Sequence, residues 1–211
     1  MKNLEYEIAK LNANLATLPL EIKEIFGRSI QDLQSGDLTE KSLQIGDKFP
    51  DFSLVNSKRE EIELGKLLKK GKVIVAFFRG SWCPYCNLEL RALQQNLTHF
   101  NAFEATLLAI SPQVPKFSEA LLTDNNLDFE LLFDEDNTLA ISVGISFELQ
   151  DYAISSYDRL GINWSAYNGN DSNRLPVPAV FVIDPDYTIS YRFMDVNYMN
   201  RLNIEELIAQ L

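Results

Sequence analysis

Apolar residues in the first section recur at spacings of three and four: Leu4, Ile8, Leu11, Leu15 and Leu18, then Ile22, Ile25, Phe26, Ile30 and Leu33. That period puts them on one face of an amphipathic helix. Pro19 suits the first turn of a helix and not its interior, so the pattern predicts two helices, over 3–16 and 19–34, closed by Ser35-Gly36-Asp37. Such a stripe either packs on the same chain or joins two copies as a homodimer. The pattern alone leaves both open.

From Ile45-Gly46-Asp47 the texture changes to short β-rich runs alternating with helical ones. Strands are expected over 52–55 and 61–64, flanking the polar turn Asn56 to Glu60. Lys72 to Arg79 is a continuous apolar run between Gly71 and Gly80, the mark of a strand buried on both faces. Leu88, Leu90, Leu93, Leu97 and Phe100 predict a helix over 84–100. Strands follow at 105–111 and 131–133 around a helix at 116–123. An antiparallel pair, 179–183 and 189–193, turns at Asp184-Pro185-Asp186-Tyr187, and a helix over 202–211 closes the chain. This order implies a three-layer α/β plan, a central mixed sheet flanked by helices. The least regular section, 145–173, carries Phe147, Tyr152, Tyr157, Trp164 and Tyr167, which form either a substrate or partner wall or the packing of an inserted helix.

Charge narrows the function classes. With 19 Lys and Arg against 30 Asp and Glu the net charge is −11, which disfavours phosphate backbones and anionic lipid, so neither nucleic acid nor membrane is an expected partner. The longest wholly apolar run, Val73 to Phe78, is far short of the ~20 residues a bilayer needs. The first thirty residues have no apolar leader core, and the expectation is a cytoplasmic protein. Two cysteines in a reducing compartment then point to chemistry or metal binding, not to a structural staple.

Those cysteines stand in Ser81-Trp82-Cys83-Pro84-Tyr85-Cys86, where the buried strand ends and a helix begins. Pro84 fits the first helical position, which makes Cys83 the N-cap, where free amides and the helix dipole favour a negative charge. Cys86, three residues on, faces the same side within disulfide reach. An ordinary thiol with a pKa near 8.5 is only about 3% ionised at pH 7, and helix N-termini or Cys-x-x-Cys settings lower that pKa to roughly 3.5–7.5. Cys83 is thus the expected attacking sulfur and Cys86 the resolving one. A four-cysteine zinc site lacks its second pair, and His99, the one histidine, lies about four turns from Cys86, too far for an easy Cys₂His site. No metal or other cofactor is expected. One histidine also leaves no Cys-His hydrolase arrangement to build on.

Taken with Leu175-Pro176-Val177-Pro178 before the strand Ala179 to Ile183, the motif resembles the thioredoxin fold. Within it, Ile45-Gly46-Asp47-Lys48-Phe49-Pro50-Asp51-Phe52 and Phe181-Val182-Ile183-Asp184 are similar to the alkyl hydroperoxide reductase/thiol-specific antioxidant family, the peroxiredoxin-like branch. The resemblance covers 44–211 and implies two regions, a helical extension at 1–40 and a redox domain at 41–211. It implies that Pro178 is a cis-proline and that Val177 offers main-chain hydrogen bonds to a disulfide partner opposite Cys83. It also implies a thiol-dependent enzyme that reduces hydroperoxides through a Cys83/Cys86 dithiol–disulfide cycle. A dithiol donor such as thioredoxin, glutaredoxin or glutathione would restore it. A disulfide reductase and a non-enzymatic redox sensor remain as alternatives.

The sequence departs from the family's Pro-x-x-x-Thr-x-x-Cys loop. If Cys86 takes the peroxidatic position, Glu89 matches the glutamate that follows it, but Arg79 replaces the proline and Cys83 the threonine. If Cys83 takes it, those positions are Ala76 and Gly80. The family's arginine falls on Pro178, so Arg79 or Arg174 is the expected electrostatic substitute, with Trp82 beside the site.

Overall fold

A computed structural model of the chain describes residues 3–211. Helices α1 (Leu4–Leu15) and α2 (Leu20–Gln34) form where the three–four pattern puts them. Asn3 caps α1 by accepting from the Glu5 amide, and Pro19 sits at the N-cap of α2, where its missing N–H costs nothing. Their apolar faces turn inward on the same chain. Leu4 joins the main core with Ile8, Leu11 and Leu15 against it, while Ile25 and Phe26 pack on a separate aromatic cluster. A short helix, α3 (Leu38–Lys41), leads into the sheet.

The next elements are β1 (Ser53–Asn56), β2 (Glu61–Glu63), α4 (Leu64–Leu68) and β3 (Val73–Phe77), then α5 (Pro84–Gln95), α6 (Leu97–Ala102), β4 (Thr106–Ser111) and α7 (Pro115–Asn125). They are followed by β5 (Glu130–Phe133), α8 (Thr138–Ser142), β6 (Ser146–Glu148), α9 (Asp151–Arg159), α10 (Trp164–Asn168) and β7 (Arg174–Pro176). The chain closes with β8 (Ala179–Ile183), β9 (Ile189–Met194) and α11 (Ile204–Ile208). Seven strands form one mixed sheet in the order β2-β1-β5-β4-β3-β8-β9, with β3 parallel to β4 and antiparallel to β8. Strand pleating splits β3 between two cores: Ile74 and Ala76 face the α5 side, and Val73, Val75 and Phe77 face the other. The sheet is covered on both faces, as the unbroken apolar run requires.

Two boundaries differ from expectation. The helix predicted over 84–100 breaks at Asn96, whose φ of −108° leaves the helical region and whose side-chain amide donates to the Ala92 carbonyl. An asparagine competes with the helix for its own carbonyls, and here it splits α5 from α6. The last helix is shorter than predicted, held to Ile204–Ile208 with Asn203 as its cap. Among the described residues no helix is long and apolar enough to cross a membrane.

Candidate active site

Strand β3 runs into a tight connection that delivers Cys83 to the N-cap of α5, with Pro84 in the first turn. Gly80 makes this connection feasible. Its φ is +144°, and a Cβ there would meet the Trp82 indole nitrogen at 2.5 Å, so only glycine lets Trp82 fold back over the loop. The loop is pinned from outside as well. The Ser81 amide donates to buried Gln113 (2.7 Å), the Asn87 side chain donates to the Ser81 carbonyl (2.8 Å), and the Cys83 amide donates to Gly80 (3.1 Å).

Both cysteines are free and fully buried, and the Cys86 thiol donates to Cys83 Sγ across 2.8 Å. Each sulfur has its own guanidinium at 3.5 Å, Arg79 on Cys83 and Arg201 on Cys86. Burial opposes a thiolate at Cys83. The hydrogen bond from Cys86 and the charges of Arg79 and Arg201 outweigh it and hold that thiol well below its ordinary value. At Cys86, burial, its donated hydrogen bond and the neighbouring Cys83 charge push the thiol well above its ordinary value, with Arg201 and Arg79 opposing. Of the two sulfurs, the one at the N-cap is therefore the first to ionise.

Of the two arginines expected to substitute for the family's own, the structure brings in Arg79 and not Arg174. Arg79 is 3% exposed, donates to Tyr157 Oη (3.2 Å), and lies 3.8 Å from the centre of the Tyr198 ring and 4.9 Å from that of Trp82. Arg174 instead ends in a long ion pair with Glu148 across the small β6–β7 sheet, since β7 turns it outward. The second cation is Arg201, which the sequence reading missed. It is fully buried and pairs with Glu89 at 2.8 Å. Burial pushes the Glu89 carboxyl up while Arg201 draws it down. The available signal was Glu89 itself, because a carboxylate on the inward face of α5 demands a buried cation.

Pro178 corrects a further expectation: no cis peptide bond occurs among the described residues. The Val177 amide donates to the Ile145 carbonyl (2.8 Å), extending the β6–β7 pairing, and the chain continues into β8 without needing a reversal. That amide, expected to face a docked disulfide, is engaged within the fold. Val177 and Pro178 instead border a small void with Arg79, Tyr157 and Tyr198.

The irregular section packs against the Cys83 loop and also lines a cavity. Trp82, Tyr157 and Trp164 meet edge to face, with ring centres 5.1–5.9 Å apart, and so fix α9 and α10 to the Cys83 loop. Tyr157 and Tyr167 also line a cavity of about 690 Å³ between that loop and the N-terminal helices, with Leu15, Phe26 and Tyr198 among its other walls and Arg79 at its edge. Tyr85 donates to Asn12 of α1 (2.5 Å), tying the roof to the loop. Among the described residues no cluster of three or more His, Cys, Asp or Glu side chains could hold a metal ion.

Comparison with known proteins agrees with this architecture. A protein named peroxiredoxin bcp from Haemophilus influenzae is 26% identical over 133 residues, 63% of this chain and 83% of that one. One from Helicobacter pylori is 32% identical over 100 residues, 47% of this chain and 65% of the relative, so that match takes in less than two thirds of its length. Among solved structures, peroxidoxin BcpB from Mycobacterium tuberculosis superposes with a TM-score of 0.62 at 19% identity, covering 80% of this chain and 96% of that one. The fold is accordingly the thioredoxin-like α/β arrangement. The AhpC/TSA family model matches residues 45–192, most of the chain. The chain belongs to the AhpC/TSA family.

Proposed function

We propose that the protein is a thiol-dependent peroxidase working through a Cys83–Cys86 dithiol–disulfide cycle. The observation that carries this reading is the pair of buried sulfurs 2.8 Å apart at a helix N-cap, each beside its own guanidinium. The Cys83 thiolate attacks the terminal oxygen of a hydroperoxide, the O–O bond breaks, and the alkoxide leaves as the alcohol after protonation. Cys83 becomes a sulfenic acid. The Cys86 sulfur then attacks Cys83, hydroxide departs as water with the Cys86 proton, and a disulfide forms. An external dithiol of the thioredoxin or glutaredoxin kind, or two molecules of glutathione, restores both thiols by exchange and leaves as the disulfide. Arg79 positions and polarises the peroxide; Arg201 steadies the developing charge on Cys86.

Burial favours this over a disulfide reductase. Neither sulfur is exposed and the Val177 amide is already bonded, which suits a small oxidant better than an extended peptide. Stopped-flow oxidation of the reduced protein by hydrogen peroxide, set beside its reduction of insulin disulfides, tests the choice. Fast oxidation with weak insulin reduction is expected. The reverse order would make it a reductase, and slow turnover in both, with a redox-dependent change of association state, would make it a sensor.

A further inference from the structure

The buried charges around the two sulfurs balance only while one sulfur is a thiolate. Arg201 has its counter-charge in Glu89 at 2.8 Å. Arg79 has no carboxylate partner among the described residues. Its polar contacts are Cys83 Sγ and Tyr157 Oη, its Nε is buried without a partner, and aromatic faces supply the rest of its surroundings. The thiolate of Cys83 is therefore its only full counter-charge. Closing the disulfide removes that charge and strands a desolvated guanidinium, an unfavourable state if nothing answers it.

Arg79 also lines the cavity beneath the N-terminal helices. That space, about 690 Å³, falls within the roughly 300–1,000 Å³ of small-molecule sites. Its walls are mainly apolar, from Leu15, Leu18, Phe26, Leu160 and Ile162, and Lys23 supplies the second cation. No carboxylate lines it, although the chain as a whole carries a net charge of −11. Local charge and global charge thus have opposite signs, which selects an anion with an apolar body.

We propose that the disulfide form binds an amphipathic monoanion in this cavity, a carboxylate on a medium-length aliphatic chain, with its head on Arg79 and its tail along the apolar wall, and that the dithiol form excludes it. In the dithiol form the carboxylate would face the Cys83 thiolate and displace it from Arg79. In the disulfide form it replaces the lost charge. The inference rests on the proposed cycle only in requiring that the Cys83–Cys86 disulfide can form. The azo oxidant diamide can make that bond, taking up the two thiol hydrogens as a hydrazine, whether or not the protein reduces peroxides.

The test is calorimetric titration of decanoate into the full chain, once as dithiol under nitrogen and once as diamide-made disulfide, with decanol as the uncharged probe. Decanoate should bind the disulfide form at least tenfold more tightly, and decanol should show no redox preference. The double variant Cys83→Ser/Cys86→Ser, which cannot hold a thiolate, should bind decanoate like the disulfide form under either condition. Linkage supplies a second readout: a tenfold preference lowers the midpoint potential of the couple by about 30 mV at saturating decanoate. Equal affinity in the two forms, no binding to the disulfide form, an unmoved potential, or the same preference with decanol would overturn the proposal. Peroxidase failure alone would leave all of these readouts intact.

Discussion

The two cysteines sit three residues apart on one helix, yet their surroundings differ in kind. Cys83 rests against Arg79 in a box of Trp82, Tyr157 and Tyr198 at the edge of a cavity. Cys86 rests one turn deeper against Arg201, which Glu89 holds from inside the same helix. One guanidinium is matched by the sulfur itself, the other by a carboxylate. The difference teaches how one Cys-x-x-Cys motif can give its two sulfurs separate tasks: the first cation is free to respond to the redox state, and the second is fixed.

The largest expected contrast is in turnover. Cys83→Ser should abolish peroxide reduction, while Cys86→Ser should complete one oxidation and stop at a sulfenic acid on Cys83. Mass spectrometry after trapping with dimedone checks this. A dimedone adduct on Cys86 in the Cys83→Ser variant would exchange the two roles, as the alignment of Glu89 with the family's glutamate allows.

Next in size is stability. Arg201→Met leaves Glu89 buried without its cation, which should cost about 3–5 kcal/mol in urea unfolding. The double change Arg201→Met/Glu89→Leu should recover most of it, because a matched apolar pair replaces a matched ionic one. No recovery would mean that the ion pair holds the loop before α11 in a way that packing cannot replace.

A smaller effect separates the sulfurs by pH. The lowered pKa of Cys83 means its thiolate persists as pH falls through the range where an ordinary thiol protonates, so its alkylation by iodoacetamide should decline only in acid. The raised pKa of Cys86 has the opposite sign and rests partly on the neighbouring Cys83 charge, so in the dithiol protein the first equivalent of iodoacetamide should go to Cys83 and not to Cys86. Arg79→Gln removes one of the charges that hold the Cys83 thiol down, so the acid limb of its alkylation profile should move to higher pH. An unchanged profile would assign the low pKa to the Cys86 hydrogen bond and Arg201.

Much of the Cys83 side was legible in the sequence because its causes are local. An apolar run, a glycine, a Trp-Cys-Pro-x-Cys and a helical period specify strand, loop, N-cap and helix over residues 73–95, and Arg79 belongs to the same stretch. The Cys86 side was not, because its cation comes from position 201. Its placement depends on where the β8–β9 hairpin returns the chain, and no local pattern encodes that. Pro178 failed for a related reason. The resemblance implies a cis bond there and a free Val177 main chain, but Val177 pairs with Ile145 across a small sheet that only the folded chain assembles. Arg174, close in sequence to that proline, is carried outward by the same sheet.

The smallest expected effect probes the roof. Tyr85 is 3% exposed, and its hydroxyl donates to Asn12, a side-chain bond that joins α1 to the helix bearing both cysteines. Burial keeps that hydroxyl protonated, raising its pKa, so the bond persists through neutral pH. Asn12→Ala removes the acceptor while leaving the apolar face of α1, with Leu4, Ile8, Leu11 and Leu15, in place. The hydroxyl then borders the cavity, where water can reach it, and the loss should be about 1 kcal/mol, near the net worth of a single hydrogen bond. No charge moves, so the pH profile of Cys83 alkylation should stay where it was. A shift in that profile would mean that α1 sets the electrostatics of the Cys83 side and does not merely cover it. The contrast between a responsive sulfur and a fixed one would then begin at the N-terminal helix, not at Arg79.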